Sequence, residues 1–504
     1  MQATNHNQSK LSFTQKFLYD TEILRQLMKV KNINTKMTPH GGAIPILKAI
    51  KDHKIHKIIR SSLGSRKKRS IYEYDDIFIA WMLTAFCGGN RIAHITKLQS
   101  KLNIIPNLKL PSHDTLGRAM KELATDSNEV RNISRERIAK IRYTQYNDNI
   151  AMNRMLIKAT KGIGALKENI PYTLDIDATF LSTHCRGADM QNKKQGKHGF
   201  APLVALIGDL PVFVSLRKGN AGASFRLKEG LETCLDLLAE SNIKVARVVS
   251  DGAGYTKAIT EMLEARGIKF VIRFPLLSSM EAFKEKLQKQ KWRKTEIRTS
   301  NDIWNCQIAD VDYKMHSPPP KENLNIPLRV VAIRFPSNNT LNLLEDADMR
   351  SQRRRKRNTM ELLKENSKLK QHGKKYTEMH LKKIGGFTYK FYVTNDFQKT
   401  SEEIVYEYNK RGDAERKFSY MKQEFGWRLP PFMWMEENNV FLIVAALANN
   451  VFVGIRSLFN EKISQISLKA RLREFRFIFI DVVCEIRNNS YRFHCTDIEF
   501  AKIL

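Results

Sequence analysis

The chain has 504 residues and 42% hydrophobic content, and its 85 Lys and Arg outnumber 52 Asp and Glu, giving a formal charge of +33. That length exceeds one ordinary domain and predicts about three at roughly 150 residues each, and the apolar content suffices for packed cores. A positive surplus of this size repels itself unless an acidic polymer screens it, so nucleic acid is the favoured partner, with ribosomal or membrane-surface partners as the alternatives.

The N-terminus, beginning Met1-Gln2-Ala3-Thr4-Asn5, has no apolar stretch of signal-peptide type. Residues 1–165 read as mainly helical and basic. Ile71 to Phe86 predicts an amphipathic helix closed by Gly88-Gly89, and Asn90 to Leu102 predicts a second. Ser112 is placed to cap a helix that runs to Leu123 and carries Arg118. Helix, short turn and capped helix fit either a helix-turn-helix DNA reader or an ordinary helical bundle. Arg66-Lys67-Lys68-Arg69 reads as a solvated loop within reach of phosphates.

From about residue 170 the pattern changes to strands: Tyr172 to Phe180, Phe200 to Ile207 and Val212 to Arg217. A helix over Ser224 to Glu240 follows, then a strand from Val245 to Ser250 ending at Asp251. Next come a helix over Thr256 to Arg266 and a strand over Phe270 to Arg273. Strands followed by helix–strand alternation predict an α/β layer. Residues 276–385 break this rhythm and read as an insertion. It contains a strand candidate, Leu328 to Arg334, and the densest charge run, Ser351-Gln352-Arg353-Arg354-Arg355-Lys356-Arg357, read as a flexible basic loop or such a loop over DNA. Phe387 to Val393 restores a strand, and Ser401 to Phe425 predicts one helix. Val440 to Ala448, stopping at Asn449-Asn450, is too short to span a bilayer and predicts a buried helix. The six cysteines are scattered without C-x-x-C pairs, as expected for reduced thiols of a cytosolic protein.

Three groups of residues carry chemistry. Along an unbroken helix, Tyr408, Arg411, Glu415 and Lys422 fall within an arc of about 60°. A carboxylate flanked by two cations and a phenol on one stripe suits metal and phosphate binding, and equally a solvated salt-bridge stripe. In a strand, Asp175 and Asp177 share one face, and Leu174 and Ile176 take the other. Two carboxylates there are costly if buried and unpaired, which a divalent cation compensates, unless the strand ends early and both are wet. Asp251 leaves the end of an apolar strand, where α/β sheets place ligands, or else caps the helix near Thr256. Together the three acids have the arrangement that two-metal phosphoryl transfer requires.

The spacing Tyr408-x₂-Arg411-x₃-Glu415-x₆-Lys422 resembles the Tyr-Arg-Glu-Lys signature of one large group of DDE transposases of bacterial insertion sequences. Asp177-Ala178-Thr179 resembles that group's Asp-x-Thr after the first strand. Leu216-Arg217-Lys218-Gly219-Asn220, Ser250 through Tyr255 and Thr394-Asn395 resemble further elements. Pro111-Ser112 through Arg118 resembles the Pro-Ser-x-x-Thr-Leu-x-Arg element of one subgroup.

The resemblance implies an α/β chain with an RNase H-like, retroviral-integrase-like catalytic core. The core's two parts would be 166–275 and 386–460, split by a β-rich insertion at 276–385. A helical DNA-binding region, 1–165, precedes it, and 461–504 follows with dimer or DNA contacts as its candidate roles. Asp177, Asp251 and Glu415 are then the catalytic residues and the ligands of Mg²⁺, with Mn²⁺ able to substitute. Asp175 is the rival of Asp177. Tyr408, Arg411 and Lys422 would grip phosphates, Arg118 would contact DNA, and Trp292 or Trp304 would stack on a flipped base unless each is a core residue. The implied activity is binding of terminal inverted repeats, cleavage of the ends and transfer of 3′-hydroxyl ends to target DNA. The implied partners are double-stranded DNA, both transposon ends and target, and a second copy in a DNA-bound homodimer, with no membrane. The implied location is the bacterial cytoplasm, at the nucleoid. Two rival functions stand beside this one: a catalytically silent DNA-binding derivative, and a metal-dependent endonuclease that never joins ends.

Overall fold

The computed structural model describes residues 36–132, 142–191, 196–274, 285, 287–298, 303–312, 327–336, 383–384, 387–487, 490–495, 498 and 500–503. The side chains of 412–415 lie outside that set, as does the basic run 353–357.

Helices dominate the described residues between 36 and 162: α1 (Ala43–Asp52), α2 (Ile55–Leu63), α3 (Tyr74–Phe86), α4 (His94–Leu102), α5 (His113–Glu122) and α6 (Ile150–Gly162). The cap expected at Ser112 is present, its hydroxyl accepting from Thr115 N at 3.2 Å. The amphipathic helix expected from Ile71 is different. α3 begins at Tyr74, and the amide of Glu73 donates to the Asp76 carboxylate at 3.0 Å. Apolar residues occupy every side of α3, and Ile77, Phe78, Trp81, Met82 and Leu83 are all fully buried. A helix without a polar face belongs inside a core.

The partner of α3 in that core is the longest helix among the described residues, Met435–Asn460. The sequence expectation stopped it at Asn449-Asn450, but the helix runs straight through. Asn449 donates its amide to Asp209 O at 2.9 Å, and Asn450 donates to Pro211 O at 2.7 Å and Thr160 Oγ1 at 2.8 Å. Buried amides with such partners need no helix end to satisfy them. By length and composition this helix could cross a membrane, but 83% of its most apolar window is buried within the protein.

Eleven strands run across the main sheet in one path. In chain order they are β1 (Asn128–Asn132), β2 (Arg142–Asn147), β3 (Tyr172–Ala178), β4 (Leu203–Ile207), β5 (Leu210–Arg217), β6 (Val245–Ser250), β7 (Lys269–Arg273), β8 (Arg293–Arg298), β9 (Ile303–Asp312), β10 (Arg329–Pro336) and β11 (Phe387–Thr394). Their spatial order is β8-β9-β10-β11-β7-β6-β3-β4-β5-β2-β1. The centre is mixed: β3, β6 and β7 are parallel, and β4 and β5 continue from β3 antiparallel. The strands of the 276–385 stretch extend this same sheet through the antiparallel pairing of β10 with β11.

Strand alternation decides what each face carries. Leu174, Ile176, Val248 and Phe270 point into a core shared with helices α7 (Leu227–Glu240) and α8 (Lys257–Ala265). Val249 and Val271 point the other way, toward Ile404 and Val405 of α9 (Ser401–Asn409). Asp175 lies opposite Val249 and therefore shares the α9 face.

Candidate active site

The site forms where β3 and β6 end. Ile176 pairs with Ser250 in parallel register, so Asp177, still paired with Val204 of β4, and Asp251, the residue after β6, come side by side on the face of Asp175. Asp177 Oδ1 accepts from Ala178 N at 2.8 Å. Asp251 is extended and accepts from Ala253 N at 3.0 Å, capping a 3₁₀ turn over Gly252–Gly254. The neighbouring helix has its own cap, Thr256, whose hydroxyl accepts from Ile259 N at 3.3 Å. The turn requires glycine at 254, since a Cβ there would fall 2.7 Å from that of Ser250.

Over this face the chain passes from α9 into α10 (Ala414–Glu424), but not as the single helix expected. A 3₁₀ turn occupies Lys410–Asp413. Gly412 sits within it, and glycine is a poor helix former. A 3₁₀ turn advances about 20° more per residue than an α-helix, so four residues rotate α10 by roughly 80° relative to the unbroken case. That widens the arc of Tyr408, Arg411, Glu415 and Lys422 from about 60° to roughly 80–100°.

Arg411 turns onto the acids. Its Nε donates to Asp175 Oδ1 at 3.1 Å, and its Nη2 lies 2.9 Å from Asp177 Oδ2. Burial opposes the charge on Arg411, but Asp175 and Asp177 outweigh it and hold the guanidinium above its usual pKa, with a further contribution from Asp251. Burial pushes the Asp175 carboxyl up to about 6 despite Arg411, and Asp177 adds to the rise. Tyr408 packs against Tyr392 with the rings tilted, 4.8 Å between centroids, and burial raises its phenol pKa. Lys422, its pKa lowered by burial, donates to Thr179 Oγ1 at 2.9 Å and Phe180 O at 3.0 Å, fixing the loop that follows Asp177. Glu415 is the second residue of α10, and its side chain lies outside the described residues.

A divalent cation fits this donor set. Hard carboxylate oxygens from neighbouring strand ends are the ligands Mg²⁺ takes. Asp175 Oδ2 is buried and has no hydrogen-bond partner among the described residues. Arg411 directly pairs Asp175 and Asp177, and Asp251 also contributes to the field at its guanidinium. Among the described residues no three His, Cys, Asp or Glu side chains cluster as a metal set, the Glu415 carboxylate being outside that group.

The other sequence candidates lie elsewhere. Trp292 donates Nε1 to Leu287 O at 3.2 Å, packs edge-on against Tyr389 and carries the Arg334 guanidinium 4.2 Å from its ring centre. Trp304 packs against Phe335, with Lys390 Nζ 4.0 Å from its ring centre. Both half-buried rings thus pack within the β8–β11 end of the sheet and hold a cation of the protein itself. Arg118 is exposed on α5 among the N-terminal helices.

Several motif residues prove to be structural. Thr394 Oγ1 donates to Phe270 O at 2.6 Å and Asn395 Oδ1 accepts from Phe270 N at 2.8 Å, fastening the end of β11 to β7. Arg217 is fully buried, its pKa lowered to about 10 by burial, and donates to Ala201 O at 2.8 Å and Phe225 O at 2.5 Å. Sequence reasoning missed the Phe180 carbonyl as an anchor for Lys422, since a backbone acceptor leaves no mark on residue type. It also missed Trp434, the one tryptophan more than half exposed, at 52%.

Comparison with known proteins adds the family. No curated protein matches the chain. The cryo-EM structure of a piggyBac transposase synaptic complex with hairpin DNA is similar over 87% of this chain and 79% of that one, at 10% identity and a TM-score of 0.40. A likeness that distant decides neither fold nor function. The profile of the family described as Transposase DDE domain group 1 matches residues 22–343, which include Asp177 and Asp251 and stop short of Tyr408. That match spans more than half of the sequence, and the chain belongs to the DDE transposase family, group 1.

Proposed function

We propose that this protein is a DNA transposase of the Tyr-Arg-Glu-Lys group. In this reading it binds the terminal inverted repeats of an insertion sequence, cleaves the ends and joins their 3′-hydroxyls to target DNA. The observation that carries the reading is the adjacency of Asp177 and Asp251 at parallel strand ends, beneath the turn that leads into Glu415. The strand order β5-β4-β3-β6-β7, antiparallel on one side of β3 and parallel on the other, supports an RNase H-like core.

Asp177, Asp251 and Glu415 would hold Mg²⁺, or Mn²⁺ in its place, and Asp175 lies one pleat deeper as support. Bound there, divalent metal supplies activation of the attacking hydroxyl and stabilisation of the leaving oxygen. The chain's own groups do the remaining work. Asp251 is held extended by its bond to Ala253 N. Arg411 offsets the acids before DNA arrives and is placed to meet a phosphate when it does. Lys422 keeps the Thr179–Phe180 loop in position beside the scissile strand. Strand exchange at two ends calls for two protomers, so a homodimer assembled on DNA is part of the proposal.

Glu415→Gln tests it on purified repeat ends with Mg²⁺. Loss of about 4 kcal/mol of transition-state stabilisation lowers strand transfer on the order of a thousandfold. Full transfer by that variant would sink the three-carboxylate assignment. Cleavage by the wild type without joining would favour the endonuclease reading, and repeat binding without cleavage would favour the silent DNA-binding one.

A further inference from the structure

An open groove of about 900 Å³ lies between α5 and the segment Leu429–Phe432 that joins α10 to the long helix Met435–Asn460. One wall carries Arg91, Arg118 and Lys121, all exposed. Among the described residues Arg91 and Arg118 make no ion pair, and Arg118 Nε reaches only the backbone oxygen of Asp114, at 3.4 Å. Lys121 Nζ stands 3.4 Å from Glu437 and 5.6 Å from the centre of the Phe432 ring. Asp114 is the single acid of the lining, and His113 Nε2 lies 3.4 Å from it. The opposite wall is apolar: Leu429 is 46% exposed, followed by Pro430 and Pro431.

Two guanidiniums without an ion pair among the described residues, with Lys121 beside them, face an apolar wall across a concavity and select an anion with apolar faces. A closed duplex offers phosphates outward but hides its base faces in the stack. An unpaired strand offers both, with phosphates for the guanidiniums and bases or sugars for the proline and leucine wall. We propose that this groove binds a short single-stranded segment of DNA. The assignment rests on the DNA-processing reading above and adds the substrate form that a second site of the same chain would take.

The groove is fastened to the loop behind the carboxylates. Gly187 N donates to Met433 O at 2.9 Å, and Cys185 Sγ lies 3.9 Å from Pro430 O. Residues 185–187 belong to the same stretch that leaves Asp177 and passes Thr179, where Lys422 holds it. A strand seated against Leu429–Pro431 is thus indexed, through bonded elements, to the chain that carries Asp177.

The test uses the full-length protein in EDTA, where no cleavage intervenes, with fluorescein-labelled oligo(dT) and a labelled repeat duplex read by anisotropy. The double variant Arg91→Glu/Arg118→Glu is expected to weaken oligo(dT) binding at least about tenfold and duplex binding less than about threefold. Leu429→Asp, changed on the opposite wall, is expected to weaken oligo(dT) binding in the same way, and thermal melts verify that each variant folds. Unchanged oligo(dT) binding in all variants overturns the proposal. So does equal loss for duplex and single strand, which would make the groove a duplex contact, and so does tighter binding of oligo(U) RNA or polyglutamate than of oligo(dT). Cleavage of repeat ends with Mg²⁺ is measured on the same wild-type preparation. Groove-dependent oligo(dT) binding without cleavage removes the catalytic reading and leaves the groove assignment standing, whereas cleavage without groove-dependent binding does the reverse.

Discussion

Arg411 holds two carboxylates that would otherwise face each other in a poorly hydrated place, at 3.1 Å to Asp175 and 2.9 Å to Asp177. Breaking a buried pair by removing one partner typically costs about 3–5 kcal/mol. Arg411→Ala is therefore expected to lose about that much stability in urea unfolding without divalent metal, and adding Asp175→Asn should restore part of it. A loss below about 1 kcal/mol would mean that solvent already screens the pair. Lys390 gives a second residue-scale expectation. Burial among Trp304 and Phe335 lowers its pKa from 10.5 to about 8. Between those values the unfolded chain binds the extra proton and the folded chain does not, so stability rises as pH goes up through the window. The rise attributable to this group is up to about 3 kcal/mol, and Lys390→Met should flatten it in unfolding curves taken at pH about 8 and about 10. An unchanged slope would show that another group titrates there.

Among the elements, the long helix Met435–Asn460 depends on two polar residues in its middle. Asn450→Leu strips the partner from Pro211 O and Thr160 Oγ1 and is expected to cost about 1–3 kcal/mol in urea unfolding, although leucine is more apolar and a better helix former. A neutral result would mean that water replaces the amide. The same helix shows what sequence could and could not disclose. Alternation in Thr173 to Asp177 and the apolar run of Val245 to Ser250 placed both strands, and the acids at their ends, from local pattern alone. Asn449-Asn450 resembled a stop because asparagine ends helices wherever no buried carbonyl waits for its amide; the carbonyls here come from the β4–β5 hairpin, Asp209 in its turn and Pro211 in β5, far away in sequence. α3 has no polar stripe along its length, since its acids, Asp75 and Asp76, both sit in its first turn. The interruption at Lys410–Asp413 had only Gly412 to announce it. Nor could local pattern show that the Arg411 guanidinium meets Asp175 and Asp177, residues more than two hundred positions away.

At the scale of the whole molecule, one continuous sheet joins stretches that sequence reading had divided into core and insertion. Val330 through Pro336 pairs residue by residue with Val393 back to Phe387, so the strand that leaves the β8–β10 stretch lies directly beside the strand that returns to the candidate site. The N-terminal helices likewise share one core with the long C-terminal-half helix. The pairing of Pro336 with Phe387 has a practical consequence. The chain enters and leaves the region between them at adjacent points, so a backbone cut there interrupts no hydrogen-bonded step between β10 and β11. Two polypeptides, one ending after Pro336 and one beginning before Lys383, should therefore reassemble when co-expressed, and co-purification of an untagged half with a tagged one reads the outcome. The first carries Asp177 and Asp251 and the second carries Glu415. Neither half alone holds the full set of acids, which would turn the protein into a two-component device whose activity is set by the meeting of its fragments.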